Sequence, residues 1–95
     1  MIISAVKAEL ILPGATSLKA KRGPLKSLIS KIRNQFNCSV VEADFHDLHQ
    51  RASLLVAFAA QDRVQSSRLE NSLEELLQNN ADFILSRYEK EYFSV

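Results

Sequence analysis

Alternation is clearest at the start of the chain. Between Met1 and Leu12, Ile2, Val6, Ala8, Leu10 and Leu12 fall on one side of an extended backbone, and Ile3, Ala5, Lys7, Glu9 and Ile11 on the other. A period of two with β-branched residues predicts a strand, and Pro13-Gly14 ends it. Leu25, Leu28, Ile29, Ile32 and Phe36 then recur at helical spacing. The start of this helix has two readings. Ser17 suits an N-cap, although position 20 holds Ala and not the acid of a capping box. Gly23-Pro24 would interrupt a helix begun there, at about 3 kcal/mol for an interior proline. A kink is one outcome; a fresh start with Pro24 at the first helical position is the other. The expectation adopted is a loose turn over 18–22 and a regular helix from Pro24 to Phe36.

Cys38–Phe45 predicts a strand, His46–Gln50 a turn, and Arg51–Ala60 a second strand. The segment Ala-Ser-Leu-Leu-Val-Ala-Phe-Ala-Ala is apolar on both faces, which predicts a central position. Asp62 can cap a helix running to about Asn79, with Leu69, Leu73, Leu76 and Leu77 inward and Val64 off that stripe. Asn79-Asn80 marks a break before a final strand over Phe83–Phe93. The order βαββαβ predicts one α+β domain over residues 1–95. Its architecture is a ferredoxin-like sandwich, an antiparallel sheet with two helices on one face.

Register follows from the middle hairpin. Closing it over residues 46–49 pairs Phe45 with Gln50, Ala43 with Ala52 and Val41 with Leu54, and sets that apolar face under the helices. The opposite face then carries Val40, Glu42 and Asp44 beside Leu55, Ser53 and Arg51. Ile3, Ala5, Lys7, Glu9, Ile11, Ala57 and Ala59 complete it. Such a face is too apolar for an ordinary solvated surface and too charged for a core. It predicts a homodimer or higher homo-oligomer formed through the open sheet face; a solvated sheet is the alternative.

Composition narrows the class. Ninety-five residues, 46% hydrophobic and 24% charged, fit a single globular domain. A lone cysteine, Cys38, cannot form an internal disulfide and suits a reducing compartment. The apolar start is broken by Lys7 and Glu9 and lacks a basic leading region, so it reads as a strand and not a signal peptide. No segment approaches the roughly 20 apolar residues of a membrane span. A soluble, cytoplasmic protein is expected.

Charge changes the picture more. From Met1 to Asn37, seven Lys/Arg face the single acid Glu9, giving +6; from Cys38 to Val95, five face ten acids, giving −5. Half of the twelve basic residues are Lys19, Lys21, Arg22, Lys26, Lys31 and Arg33. Lys26 and Arg33 share one flank of the apolar stripe, and Lys31 lies on the other. Lys19, Lys21 and Arg22 stand at the helix opening, where free N–H groups favour anions. Cations there oppose the macrodipole instead of complementing it. These six are the candidate nucleic-acid-binding residues, holding phosphates of an RNA backbone. A merely solvated helix surface is the competing explanation.

Other chemistry finds little support. His46 and His49, with Glu42, Asp44 and Asp47, lie on a turn without a second ligand pair, so no metal is assigned. Asp44 and Arg51 instead suggest a cross-strand pair. Two glycines cannot build a P-loop or G-x-G-x-x-G, and no Ser or Cys stands beside an evident base; no catalytic residue or cofactor is assigned. An RNA-recognition-motif surface needs aromatics on the first and third strands. Ile3, Ala5, Lys7, Ser53, Leu55 and Ala57 supply none. An acylphosphatase-like site would need an arginine in the loop Pro13–Ser17, which has none.

Several stretches resemble the YlxP-like family of small bacterial proteins. Ser17-Leu18-Lys19-Ala20-Lys21-Arg22 is similar to the family's S-L-K-E-K-R, and Phe36-Asn37-Cys38-Ser39-Val40 with Glu42 to its F-N-V-S and downstream acid. Asp47-Leu48-His49-Gln50-Arg51 resembles D-x-W-Q-R, and Arg63-Val64-Gln65 fits the start of the second helix. The resemblance covers nearly the whole chain and implies a ferredoxin-like fold and self-association. It also implies a role near the ribosome, because the family's genes lie beside those of translation-initiation and ribosome-assembly factors. It brings no catalytic residue. Ala20 departs from the family's Glu, Gly23-Pro24 from its uninterrupted helix, and His49 from its Trp. Two functions follow as expectations: a non-enzymatic module bound to RNA or the ribosome, or a structural and regulatory homo-oligomer whose basic and acidic halves pair between subunits.

Overall fold

The leading alternation becomes β1 (Ile2–Ile11) in a computed structural model that describes all residues from Met1 to Val95. Its even-numbered side chains Val6, Ala8 and Leu10 are buried, and Lys7 opposite them is exposed. Next come α1 (Leu18–Gln35), β2 (Ser39–Asp44), β3 (Arg51–Ala60), α2 (Arg63–Gln78) and β4 (Ile84–Ser94). The strands form one antiparallel sheet in the order β2-β3-β1-β4. This is the expected ferredoxin-like α+β fold, and the most apolar strands, β1 and β3, are its central pair. Leu25, Leu28, Ile32 and Phe36 from the α1 stripe and Leu73 and Leu77 from α2 meet Val6, Leu10, Leu54 and Val56 in one core. Each fully buried leucine contributes about 1.5–3 kcal/mol. No helix is long and apolar enough to cross a membrane.

Both helices begin where a polar side chain replaces a missing backbone partner. Ser17 Oγ accepts from Ala20 N at 3.0 Å, and Asp62 Oδ1 accepts from Gln65 N at 2.8 Å. The expected fresh start at Pro24 is corrected: α1 runs from Leu18 without a break and carries Pro24 inside it. Proline leaves the Ala20 carbonyl without its helical donor. Two circumstances soften that loss. Ala20 is exposed, so water can reach the carbonyl. Gly23 precedes the proline and has no Cβ to collide with the ring, which removes half of the usual objection to a helical residue there. Val64, off the α2 stripe, points to solvent at 63% exposure.

The register of β2 also differs from expectation. Val40 pairs with Val56, Val41 with Leu55 and Glu42 with Leu54, one residue away from the predicted alignment. A shift of one turns every side chain over. Val40, 2% exposed, lies under the helices, whereas Val41 is 52% exposed on the open face. The hairpin loop is longer than predicted: a bulge falls between Glu42 and Asp44, and Phe45 adopts a left-handed backbone at φ 64°. The slip carries Glu42 to the helix side, while Asp44, past the bulge, pairs with Ser53. The expected Asp44–Arg51 pair does not form. Asp44 Oδ1 accepts from Phe45 N at 2.8 Å, and Arg51 turns to Glu9 at 3.4 Å and stacks on the Phe45 ring.

Restoring the missing helical hydrogen bond should stabilise the protein. Pro24→Ala is expected to gain about 1–2 kcal/mol, the interior-proline cost less the unfolded-state entropy that proline removes. Gly23→Ala should gain about 1 kcal/mol only when Pro24 is also replaced. Urea denaturation of the two single variants and the double measures this coupling.

Candidate nucleic-acid interface

Six cations and no acid lie on α1, and the helix sorts them. At 100° per residue, Lys19, Arg22, Lys26 and Arg33 fall on one flank of the buried stripe, Lys21 falls within the stripe, and Lys31 falls on the far flank. Arg22, Lys26 and Arg33 line one groove of about 540 Å³ between α1 and the sheet-edge strand β2, with Ile29, Val41 and Glu42 among its walls. Arg33 donates from Nη2 to the Val40 carbonyl at 3.0 Å, which fixes its guanidinium at the groove's end. Lys31 lies apart, beside Ser27, Asn34 and Gln35. Lys19 is exposed at the helix opening.

Lys21 has a different task. It is 3% exposed, and its ammonium donates to the carbonyls of Phe45 at 2.9 Å and Leu48 at 3.0 Å. Glu42 Oε2 approaches the same nitrogen to 3.1 Å as an ion pair. Two carbonyls take two of its donors and Glu42 balances its charge, so the buried ammonium is closed to an external phosphate. Lys21 ties the opening of α1 to the β2–β3 turn and holds the left-handed backbone at Phe45. Of the six candidate cations it alone has an anionic partner within the fold; Lys19, Arg22, Lys26, Lys31 and Arg33 form no ion pair.

The hairpin histidines take turn positions. His46 Nε2 lies 3.1 Å from the Glu42 carbonyl, and His49 is exposed. No three His, Cys, Asp or Glu side chains converge as a metal site would require. Burial pushes the Cys38 thiol above its ordinary range, with Arg33 opposing the shift, so Cys38 is a weak nucleophile.

A second polar cluster was not anticipated. Glu70 of α2 is fully buried. Arg63 Nη1 bridges both of its oxygens at 3.1 and 3.0 Å, and Ser4 Oγ of β1 donates to Oε2 at 3.0 Å. Lys90 of β4 stands 4.0 Å away. Tyr88 donates to the Glu70 carbonyl at 2.6 Å, and its phenol is pushed upward by burial first, then by Glu74 and Glu70. Arg63 stacks on the Tyr92 ring at 3.9 Å. This network fastens α2 to β1 and β4. The i, i+7 spacing of Arg63 and Glu70 on one helix was the only sequence signal; Ser4 and Lys90 arrive from distant strands.

The division of labour on α1 predicts separable effects. Lys21→Ala removes one partner of a buried, hydrogen-bonded ion pair and should destabilise by about 3 kcal/mol. Lys19→Ala and Lys26→Ala, on exposed positions, should stay within about 0.5 kcal/mol of the parent. Chemical denaturation monitored by circular dichroism reads both.

The family model described as "Protein of unknown function (DUF503)" matches residues 3–90 of this chain. The chain is also similar to a curated relative, "Uncharacterized protein YlxP" of Bacillus subtilis (strain 168). The two are 36% identical over 67 residues, which span 70% of this chain and 73% of the relative. A match across nearly the whole fold, together with that relative, places the chain in the YlxP-like DUF503 family.

Proposed function

We propose that this chain is a non-enzymatic module that binds the phosphate backbone of RNA, ribosomal RNA included, along the Lys19–Arg22–Lys26–Arg33 flank of α1. The observation that carries this reading is the lack of internal anionic partners. Four cations share one helix flank, three of them line one groove, and none has an acid within ion-pairing distance. A helix whose first turns hold Lys19 and Arg22 and no acid opposes its own macrodipole, at about 0.3–1 kcal/mol per charge at low salt. An anion laid along the flank relieves that repulsion. The 1.5 Å helical rise sets Arg22 and Lys26 about 6 Å apart along the axis, and Lys26 and Arg33 about 10 Å. That spacing lets each cation meet a different phosphate of an extended strand. The contacts are to backbone and do not read bases, so little sequence preference is expected. The bland alternative, a solvated helix surface, predicts no RNA affinity at all.

A labelled single-stranded RNA titrated at several salt concentrations tests this. Four phosphate contacts give a log–log salt slope near −3. Lys19→Ala/Arg22→Ala/Lys26→Ala should flatten it by about 2 units while leaving the fold intact. Lys31→Ala, on the other flank, should leave it unchanged. Lys21 is kept native throughout, because its loss would disturb the hairpin. Salt-insensitive binding, or none, overturns the reading. If the basic and acidic halves instead pair between subunits, light scattering shows mass falling as salt rises while RNA stays unbound.

A further inference from the structure

The face of the sheet turned away from the helices has no cover. Of eleven exposed large apolar side chains, six lie on it: Ile3, Ile11, Val41, Leu55, Ile84 and Phe93. The other five, Met1, Leu48, Val64, Tyr92 and Val95, are dispersed over the chain ends, the hairpin turn, the start of α2 and the far side of β4. The six are not the scatter expected of a solvated surface. The corrected register exchanges Val40 for Val41 on this face and removes Glu42 from it, which leaves the face less charged than the sequence suggested.

Charges on the same face indicate what could lie against it. It carries Lys7, Arg51 and Arg87 with Glu9, Asp44, Glu89 and Glu91, a formal charge of −1 from three cations and four anions. A nucleic acid is disfavoured, since the net charge is negative and Phe93 is the face's only exposed aromatic. Most of these charges are already engaged. Arg51 pairs with Glu9, Arg87 pairs with Glu89, and Asp44 accepts from the Phe45 N–H. Lys7 and Glu91 remain, one of each sign, and neither takes part in an ion pair. Lys7 sits midway along the central strand β1. Glu91 lies one same-face rung away on β4, opposite Ala5. Both border a depression of about 310 Å³ with Ala5, Leu55 and Glu89.

We propose that this face docks a second copy of the chain as an isologous pair, with Lys7 of each copy meeting Glu91 of the other. A two-fold axis lying between the two faces, parallel to the sheets, makes every contact twice, so one leftover cation and one leftover anion become two reciprocal ion pairs. Apolar groups at both ends of the face, Ile3 and Phe93 at one and Ile11 and Ile84 at the other, close over each other around that centre. Three strands of about 33 Å and the shorter β2 of about 20 Å, about 4.8 Å apart, offer roughly 570 Å² per copy, or about 1,100 Å² in all, at the lower limit of a specific interface. The dimer is therefore expected to be reversible. It leaves the α1 flank outward on both copies, so it stands independently of the RNA reading.

Charge reversal tests the pairing. In sedimentation velocity over micromolar to millimolar concentrations, the parent should move from monomer to dimer. Lys7→Glu and Glu91→Lys should each weaken that transition at least tenfold, since like charges then face each other across a dry interface. The double variant Lys7→Glu/Glu91→Lys should restore it. Both positions are exposed, so circular dichroism should show all three variants folded. A parent that stays monomeric throughout overturns the proposal, and so does a dimer indifferent to both single reversals. A double variant that stays as weak as the singles also overturns it.

Discussion

The Lys21 ammonium is taken out of water by the fold and satisfied from within it, and much of the molecule is arranged around that fact. A buried lysine is tolerable only where carbonyl and carboxylate oxygens replace its hydration. Phe45 O, Leu48 O and Glu42 Oε2 do so at 2.9, 3.0 and 3.1 Å. Glu42 can reach it only because β2 is aligned as it is, with a bulge before Asp44 and a left-handed residue at Phe45. The ion pair and the strand register therefore support one another. Slipping the strand back by one residue would leave Lys21 facing Val41 and send Glu42 to the open face.

The same interaction sorts the surface charge. Six cations enter α1 with no acid beside them, and one acid from β2 neutralises the one cation that points inward. The outward flank keeps its charge and lies against an exposed sheet edge. The two sides of the protein thus differ in kind. One is a basic helix flank with a groove. The other is a nearly neutral, half-apolar sheet face. The Glu70 network at the other helix serves neither side; it secures α2 so that β4 can complete the sheet.

Local patterns carried most of the fold. The alternation of β1, the two-sided apolar run of β3 and the cap Asp62 each act over a few residues, and all appear where the spacing places them. The register of β2 depends on a distant partner, whereas the other differences turn on nearby residues. Val40 and Val41 are adjacent, so β2 is apolar on either face; the observed alignment goes with the contact between Glu42 and Lys21, which lies about twenty residues earlier in the chain. Pro24 suits a helix start through its fixed φ, and what relieves it inside α1 is local: Gly23 beside it and the exposed Ala20 carbonyl four residues before. Lys21 reads like its neighbours in the basic run, and only its phase on the helix, level with Leu25, Leu28 and Ile32, marks it as inward. Glu70 shares the phase of Leu73 and Leu77 on α2 and was overlooked for the same reason.

The account stands on the separation of one internal lysine from the free cations around it, and nuclear magnetic resonance of side-chain lysine and arginine groups observes that separation directly. With RNA added to the ¹⁵N-labelled protein, the signals of Arg22, Lys26 and Arg33 should shift, while the Lys21 ammonium, protected from solvent exchange beforehand, should stay where it was. A Lys21 ammonium that exchanges as freely as Lys19 and moves with the others, or a flank that does not respond, would contradict it.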